Sequence, residues 1–150
     1  GQKPYLFLFA SVGSFLDSDF STFEKINQLP FNSYINIGFE SVDDKTLLQI
    51  GKPITASHVK NAFEKMADIN STYEQIEITG NFIISDSLSV EHDASLKSLL
   101  KNADVKNSSK GAVYLSPLKD APKKRQLLTK FYETKEDCKL PVFIYLIQRL

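Results

Sequence analysis

The chain has 150 residues and a single cysteine, Cys138. One thiol excludes an intramolecular disulfide framework and any metal site built on several thiolates within one copy, and it favours a reducing, cytosolic setting. A charge imbalance is also missing: 18 Lys and Arg balance 18 Asp and Glu. No net field therefore draws the chain to nucleic acid or to an anionic membrane. The longest apolar runs, Tyr5–Ala10 and Val142–Ile147, are too short to span a bilayer. The first residues lead straight into an apolar run and lack the basic and apolar regions of a signal peptide. Histidines are few, and His58 and His92 have no second ligand at metal-binding spacing; both read as helix-surface residues. A phosphate-cradling Gly-x-x-x-x-Gly-Lys-Ser/Thr loop is absent, so the Gly51-Lys52 pair is not one. The Lys123-Lys124-Arg125 run reads as a solvated helix face, and Cys138 as a partly buried small residue.

What is present is an apolar content of 42% with 11 Phe and 6 Tyr, enough for a packed core in one domain over residues 1–150. Five short runs have strand character: Tyr5–Phe9, Tyr34–Gly38, Ile76–Ser85, Ala112–Leu115 and Val142–Ile147. Most are continuously apolar, which predicts parallel strands covered on both faces. Helical patterns lie between them. Ser21-Thr22-Phe23-Glu24 has capping-box spacing. Thr55 is a predicted N-cap, followed by a stripe of Val59, Ala62, Phe63, Met66 and Ile69. Weaker helices are predicted over Val90–Lys101 and Pro122–Lys135, the second with Pro122 near its first turn.

Strand starts recur roughly every 30 to 40 residues, a rhythm that predicts right-handed β–α–β crossovers and a parallel sheet. The expected class is α/β: a parallel-stranded, partial (half) TIM-type β/α barrel of about five strands alternating with helices. A buried-type strand stands close to each end of the chain, and such a sheet leaves raw edges. The expectation is therefore a C-terminal portion of a larger barrel, or a chain that pairs with itself as a homodimer through its sheet edges.

Ligands of α/β sheets and barrels gather at the carboxyl ends of the strands. One such end is unusual: Tyr34-Ile35-Asn36-Ile37-Gly38-Phe39-Glu40-Ser41, followed by Asp43-Asp44, Leu47, Ile50 and Gly51-Lys52-Pro53. Gly38 would let a flat ligand approach the backbone, and Glu40 could accept hydrogen bonds from an amino group. The plainer alternatives are that Glu40 caps a helix starting near Val42 or pairs with a neighbouring basic residue. Lys52 could equally be a solvated turn residue. Asn81 could satisfy a bulge, and Ser11, Gly13 and Ser14 could be plain loop.

This segment resembles the fifth-strand region of radical S-adenosylmethionine enzymes, in which a Gly-x-Glu-Ser or Gly-x-Gln-Asp stretch precedes a helix and a basic residue follows about a dozen positions later, here Lys52. Gly80-Asn81-Phe82-Ile83-Ile84 is similar to the family's sixth strand, and Tyr5–Phe9 to its fourth. The resemblance implies an S-adenosylmethionine surface across these strand ends. Glu40 and Asn81 would contact its polar groups and Lys52 its carboxylate or ribose. Ser11 or Ser14 would lie near the methionyl or ribose portion, Gly38 and Ser41 would complete the strand-end surface, and Ile37, Ile83 and Ile84 would flank the adenine. Two departures matter. Lys52 stands where related members carry arginine, so a bidentate contact is lost, and Asn81 stands where Asp is common.

The family's Cys-x-x-x-Cys-x-x-Cys loop and its Gly-Gly-Glu segment are absent. Three thiolates hold the 4Fe-4S cluster, so this chain does not ligate one, and no catalytic residue is assigned to it. The resemblance thus implies the later half of an iron–sulfur oxidoreductase barrel, inactive alone, whose missing N-terminal half brings the cluster and whose substrate is unknown. The alternative from another class is a non-catalytic binding or scaffold β/α domain. A different β/α-barrel enzyme using Glu40 as acid or base lacks a partner carboxylate at suitable spacing.

Overall fold

The computed structural model describes residues 2–106, 109–118, 124–136 and 138–145. Its elements follow the expected alternation: β1 (Tyr5–Ser11), α1 (Val12–Asp17), α2 (Phe20–Asn27), β2 (Asn32–Glu40), α3 (Asp44–Gln49), α4 (Ala56–Thr72), β3 (Ile76–Ile84), α5 (Val90–Lys101), β4 (Val113–Pro117), α6 (Lys124–Lys135) and β5 (Val142–Ile144). All neighbouring strands are parallel, in the order β1-β2-β3-β4-β5. Each crossover moves to the adjacent strand in the same direction. With one crossover hand, that order puts the helices on a single face, the arrangement of a β/α barrel rather than of a doubly wound sheet.

Burial follows from this one-sided layering. In β2, Ser33, Ile35, Ile37 and Phe39 are buried against the helices, and the alternate Asn32, Tyr34, Asn36, Gly38 and Glu40 are only partly covered. On β1, Phe7 and Phe9 are 68% and 85% exposed. The expectation of strands covered on both faces is corrected here: the helix face is dry and the opposite face is open. The apolar runs misled because that face is itself aromatic, with Phe7 stacked on Tyr34 and Tyr114 stacked between Phe143 and Tyr145.

The helix layer is anchored by α4, whose predicted stripe of Val59, Ala62, Phe63, Met66 and Ile69 is buried in full. Each of the four larger side chains contributes about 1.5–3 kcal/mol when removed from water, and Ala62 less. Thr55 caps α4 as expected: its side chain accepts from the His58 amide (3.3 Å), and His58 Nδ1 accepts from the Thr55 amide (3.1 Å). The box expected at Ser21–Glu24 does not form. The helix starts two residues earlier, with Asp19 as N-cap, so Ser21 lies within the first turn of α2. Pro122 and Ile147 lie outside the described residues.

Two polar clamps fix the helices to the sheet. β3 extends past β4, whose pairing starts only at Gly80↔Val113. At Ile78 the Asn70 carboxamide takes the place of a strand, accepting from the Ile78 N–H (2.7 Å) and donating to its C=O (3.0 Å). Lys65 of α4 closes the end of α1, donating to the carbonyls of Phe15 (2.7 Å), Leu16 (3.4 Å) and Ser18 above the Phe15 and Phe23 rings. Burial lowers its pKa, partly countered by Asp19 and Asp17. The clamp holds α1, which follows directly on β1 at Ser11.

Candidate functional site

Register places one residue from each strand side by side near the carboxyl ends: Ser11 of β1 opposite Gly38 of β2, Gly38 opposite Asn81 of β3, and Asn81 opposite Tyr114 of β4. Beyond this row the register slips, with Gly38 paired to Asn81 but Glu40 to Phe82, so β2 carries a bulge. The Ser41 amide bonds back to the Phe39 carbonyl (2.8 Å), closing a three-residue turn about Glu40, whose φ is +68°. This is the strained, left-handed form of the γ-turn, held at a residue other than glycine.

The turn folds the Glu40 carboxylate back over Gly38. A Cβ built on Gly38 would lie 3.3 Å from Glu40 Oε1, so a side chain there would crowd the carboxylate. Lys52 Nζ stands 3.8 Å from the same oxygen, and both side chains remain partly exposed. The expected pairing of Glu40 with a nearby base is thus observed, whereas capping is not: Asp43 caps α3 through Thr46 N (3.0 Å) and Thr46 Oγ1 (2.7 Å). The structure brings Gly38, Glu40 and Lys52 together, with Asn81 and Ser11 on the flanking strands.

The remaining expected residues are placed differently. Ser11 is the N-cap of α1, and its hydroxyl accepts from the Ser14 amide (3.1 Å) and lies 2.7 Å from Ser14 Oγ; both serines are partly or fully exposed. Ser41 is fully buried behind the turn. Ile37 and Ile84 share the helix-facing side of their strands and are buried there, so they cannot flank a ligand on the open face; Ile83, at the alternate position, can.

Asn81 belongs to a polar chain across the open face. Its Nδ2 donates to Asn36 Oδ1 (2.6 Å), and Asn36 Nδ2 donates to Thr79 Oγ1 (2.8 Å). Asn81 Oδ1 is buried and has no hydrogen-bond partner among the described residues. An acceptor left so is costly, and it is satisfied when a donor arrives. Aromatic side chains flank the chain: an open cavity of about 190 Å³ is lined by Phe7, Phe9 and Tyr34 on one side and Tyr114 and Tyr145 on the other, with Asn36 and Thr79 between. A wider groove of about 720 Å³ lies on the outer surface along α4 and α5, remote from the strand ends.

His92 corrects the sequence reading most sharply. It is not a surface residue but is 0% exposed. Nδ1 lies 2.7 Å from Ser41 Oγ and Nε2 lies 3.0 Å from the Ile83 carbonyl. Burial lowers its pKa, with the Ile83 hydrogen bond and the charges of Asp93 and Asp43 pulling the other way and Lys130 adding to the fall. The readable signal was the spacing His92, Leu96, Leu100, which puts the imidazole on the buried face of α5. Beside it, Lys130 donates to the Ser85 carbonyl (2.9 Å) and pairs with Asp86 (3.1 Å) and Asp93 (3.2 Å). Burial would lower the lysine pKa, but the two carboxylates outweigh it and raise it.

Among the described residues no group of three or more His, Cys, Asp or Glu could hold a metal ion. Cys138 is partly buried, and burial raises its pKa. No helix of the described residues is long and apolar enough to cross a membrane.

The five parallel strands and one-sided helix layer define an α/β protein of the β/α-barrel type, with an open face and a polar strand-end cluster. No protein-family model and no curated protein sequence matches the chain. Among solved structures it is similar to a radical SAM methyltransferase from Sphaerobacter thermophilus, with a TM-score of 0.55 and 13% identity. The likeness covers 91% of this chain and 39% of that one, so the chain spans well under half of its structural neighbour. At that identity the likeness is one of fold.

Proposed function

We propose that this chain is the later part of a radical S-adenosylmethionine barrel and carries one side of the S-adenosylmethionine surface. The single observation that carries the reading is the strand-end cluster. Glu40 is folded over a glycine, with Lys52 alongside, and the buried acceptor Asn81 Oδ1 on the neighbouring strand has no partner among the described residues. That donor set suits a zwitterionic, amine-bearing ligand lying across parallel strands. Glu40 would accept from its amino group, Asn81 would accept from a further N–H or O–H, and Lys52 would meet a carboxylate or ribose oxygen. Ser11 and Ser14 would border the ligand at β1, and Ser41 would act from behind through the turn. The likeness of fold to a radical SAM methyltransferase supports the reading.

The iron–sulfur cluster is a different matter. One partly buried thiol with a raised pKa does not fit a site that needs three thiolates, so the cluster belongs to the N-terminal half that completes the barrel. A cluster held there would supply the one electron that breaks a carbon–sulfur bond of S-adenosylmethionine and leaves a carbon-centred radical; this chain would supply only orientation. Its open aromatic face is what the missing half, or a second copy of the chain, would cover.

The test is binding of S-adenosylmethionine by titration calorimetry, with Glu40→Gln and Asn81→Ala as variants. Binding that each variant weakens about tenfold or more supports the reading, since each removes a charged or desolvated hydrogen bond. No binding by the wild-type chain, alone or joined to its N-terminal half, leaves the scaffold-domain reading in its place.

A further inference from the structure

We infer that the buried Ser41–His92 pair sets the position of Glu40, making His92 a positioning residue for the strand-end surface although it never reaches that surface. The importance of Glu40 to a ligand rests on the proposed function; the mechanical claim does not.

Proton positions follow from the partners. The Ile83 carbonyl can only accept, so His92 Nε2 must carry a hydrogen. In the neutral ring Nδ1 is then the bare nitrogen, and Ser41 must donate to it. The Ser41 oxygen is left to accept from the Asp43 amide at 3.1 Å. The chain therefore has one direction: Asp43 N–H to Ser41, Ser41 O–H to His92, and His92 Nε2–H to Ile83. Every donor and acceptor in it is used, and Ser41 and His92 are both fully buried.

This chain anchors the C-terminal side of the strained turn. Glu40 lies between Phe39, sealed in the helix-facing core, and Ser41, sealed by His92. A left-handed residue persists only where its surroundings over-determine it. Phe39 supplies the apolar anchor and Ser41–His92 the polar one. Asp43, the next link, caps α3, which leads on to the loop holding Lys52. One imidazole on α5 thus orders the strand end, the turn and the start of the following helix. The charged groups around it are Asp93 on α5, Asp43 before α3 and Lys130 on α6.

Nuclear magnetic resonance of the full chain tests this without any ligand. The long-range ¹⁵N spectrum of His92 is expected to show the Nε2–H tautomer, and a strong intraresidue HN–Hα nuclear Overhauser effect at Glu40 its positive φ. In Ser41→Ala, and in His92→Phe if it folds, Glu40 should lose that signature, and amide exchange at Asp43 should quicken at least about tenfold as its acceptor is lost or released. His92→Gln, which offers one donor and one acceptor, should restore both. A Glu40 Overhauser effect and Asp43 protection unchanged in Ser41→Ala overturn the inference, and so does an Nδ1–H tautomer. S-adenosylmethionine affinity is a separate readout. If the wild-type chain binds, Ser41→Ala should weaken binding without touching a contact atom, and equal affinity counts against the inference. If the wild-type chain does not bind, the proposed function fails while the resonance data still decide the turn.

Discussion

Gly80→Ala is the sharpest test of how the core holds the strand end. A Cβ at Gly80 would lie 2.2 Å from Phe39 Cε2 and 2.4 Å from Cδ2, more than 1 Å inside ordinary contact. The ring has nowhere to retreat. It is stacked on Phe82 with centroids 5.2 Å apart and packs against Phe63 at 5.8 Å, and all three rings are buried. Overpacking of this kind costs about 1–3 kcal/mol. Gly80 does not use a positive φ, so alanine also stiffens the unfolded chain, which returns about 0.4–1 kcal/mol. A net loss of about 1–2 kcal/mol is expected, a fall of roughly 1 M in the urea midpoint at the slopes usual for small domains. Gly13→Ala is the control. It sits in α1 with nothing within 4 Å of a new Cβ, and it should stabilise by about 0.5–1 kcal/mol. Phe39→Leu should cost less in the Gly80→Ala background than alone, because the two changes share one space. Equal midpoint shifts for the two glycine variants, or a Gly80→Ala chain as stable as wild type, would refute the packing argument.

Other consequences are measurable in the same assays. His92 is held neutral by burial, with its pKa below the ordinary 6.5. The unfolded chain therefore takes up a proton first as pH falls, and stability is complete above 6.5 and lost below it at up to about 1.4 kcal/mol per pH unit. Denaturation midpoints followed with pH should show this slope in wild type and lose that component in His92→Gln; identical slopes would contradict it. Glu40→Gly should raise the melting temperature by relieving the left-handed turn, a gain of about 1 kcal/mol, while removing the carboxylate proposed to hold a ligand. The ion pair lost with it is partly exposed and long, worth about 0–1 kcal/mol, so a lower melting temperature would mean the turn is unstrained. Asn70→Ala leaves the Ile78 amide and carbonyl without the carboxamide and should cost about 2 kcal/mol or more, read from the urea midpoint.

The sequence by itself determined the order and kind of the elements. Apolar runs located five strands, the stripe from Val59 to Ile69 located α4, and Thr55 marked its start, because these signals depend on neighbours within one or two turns of chain. It also brought Glu40 and Lys52 into one reading, twelve residues apart across a short helix. Tertiary structure decided the rest. Which face of β2 is dry depends on the hand of the crossovers, and Ile37 and Gly38 part company on that basis alone. The left-handed turn at Glu40 is imposed by anchors on either side rather than by any preference of glutamate. His92 became part of the site through Ser41, 51 residues earlier in the chain. A local pattern can place an imidazole on a helix face, but only the packed sheet supplies the hydroxyl and carbonyl that tell it which nitrogen carries the proton.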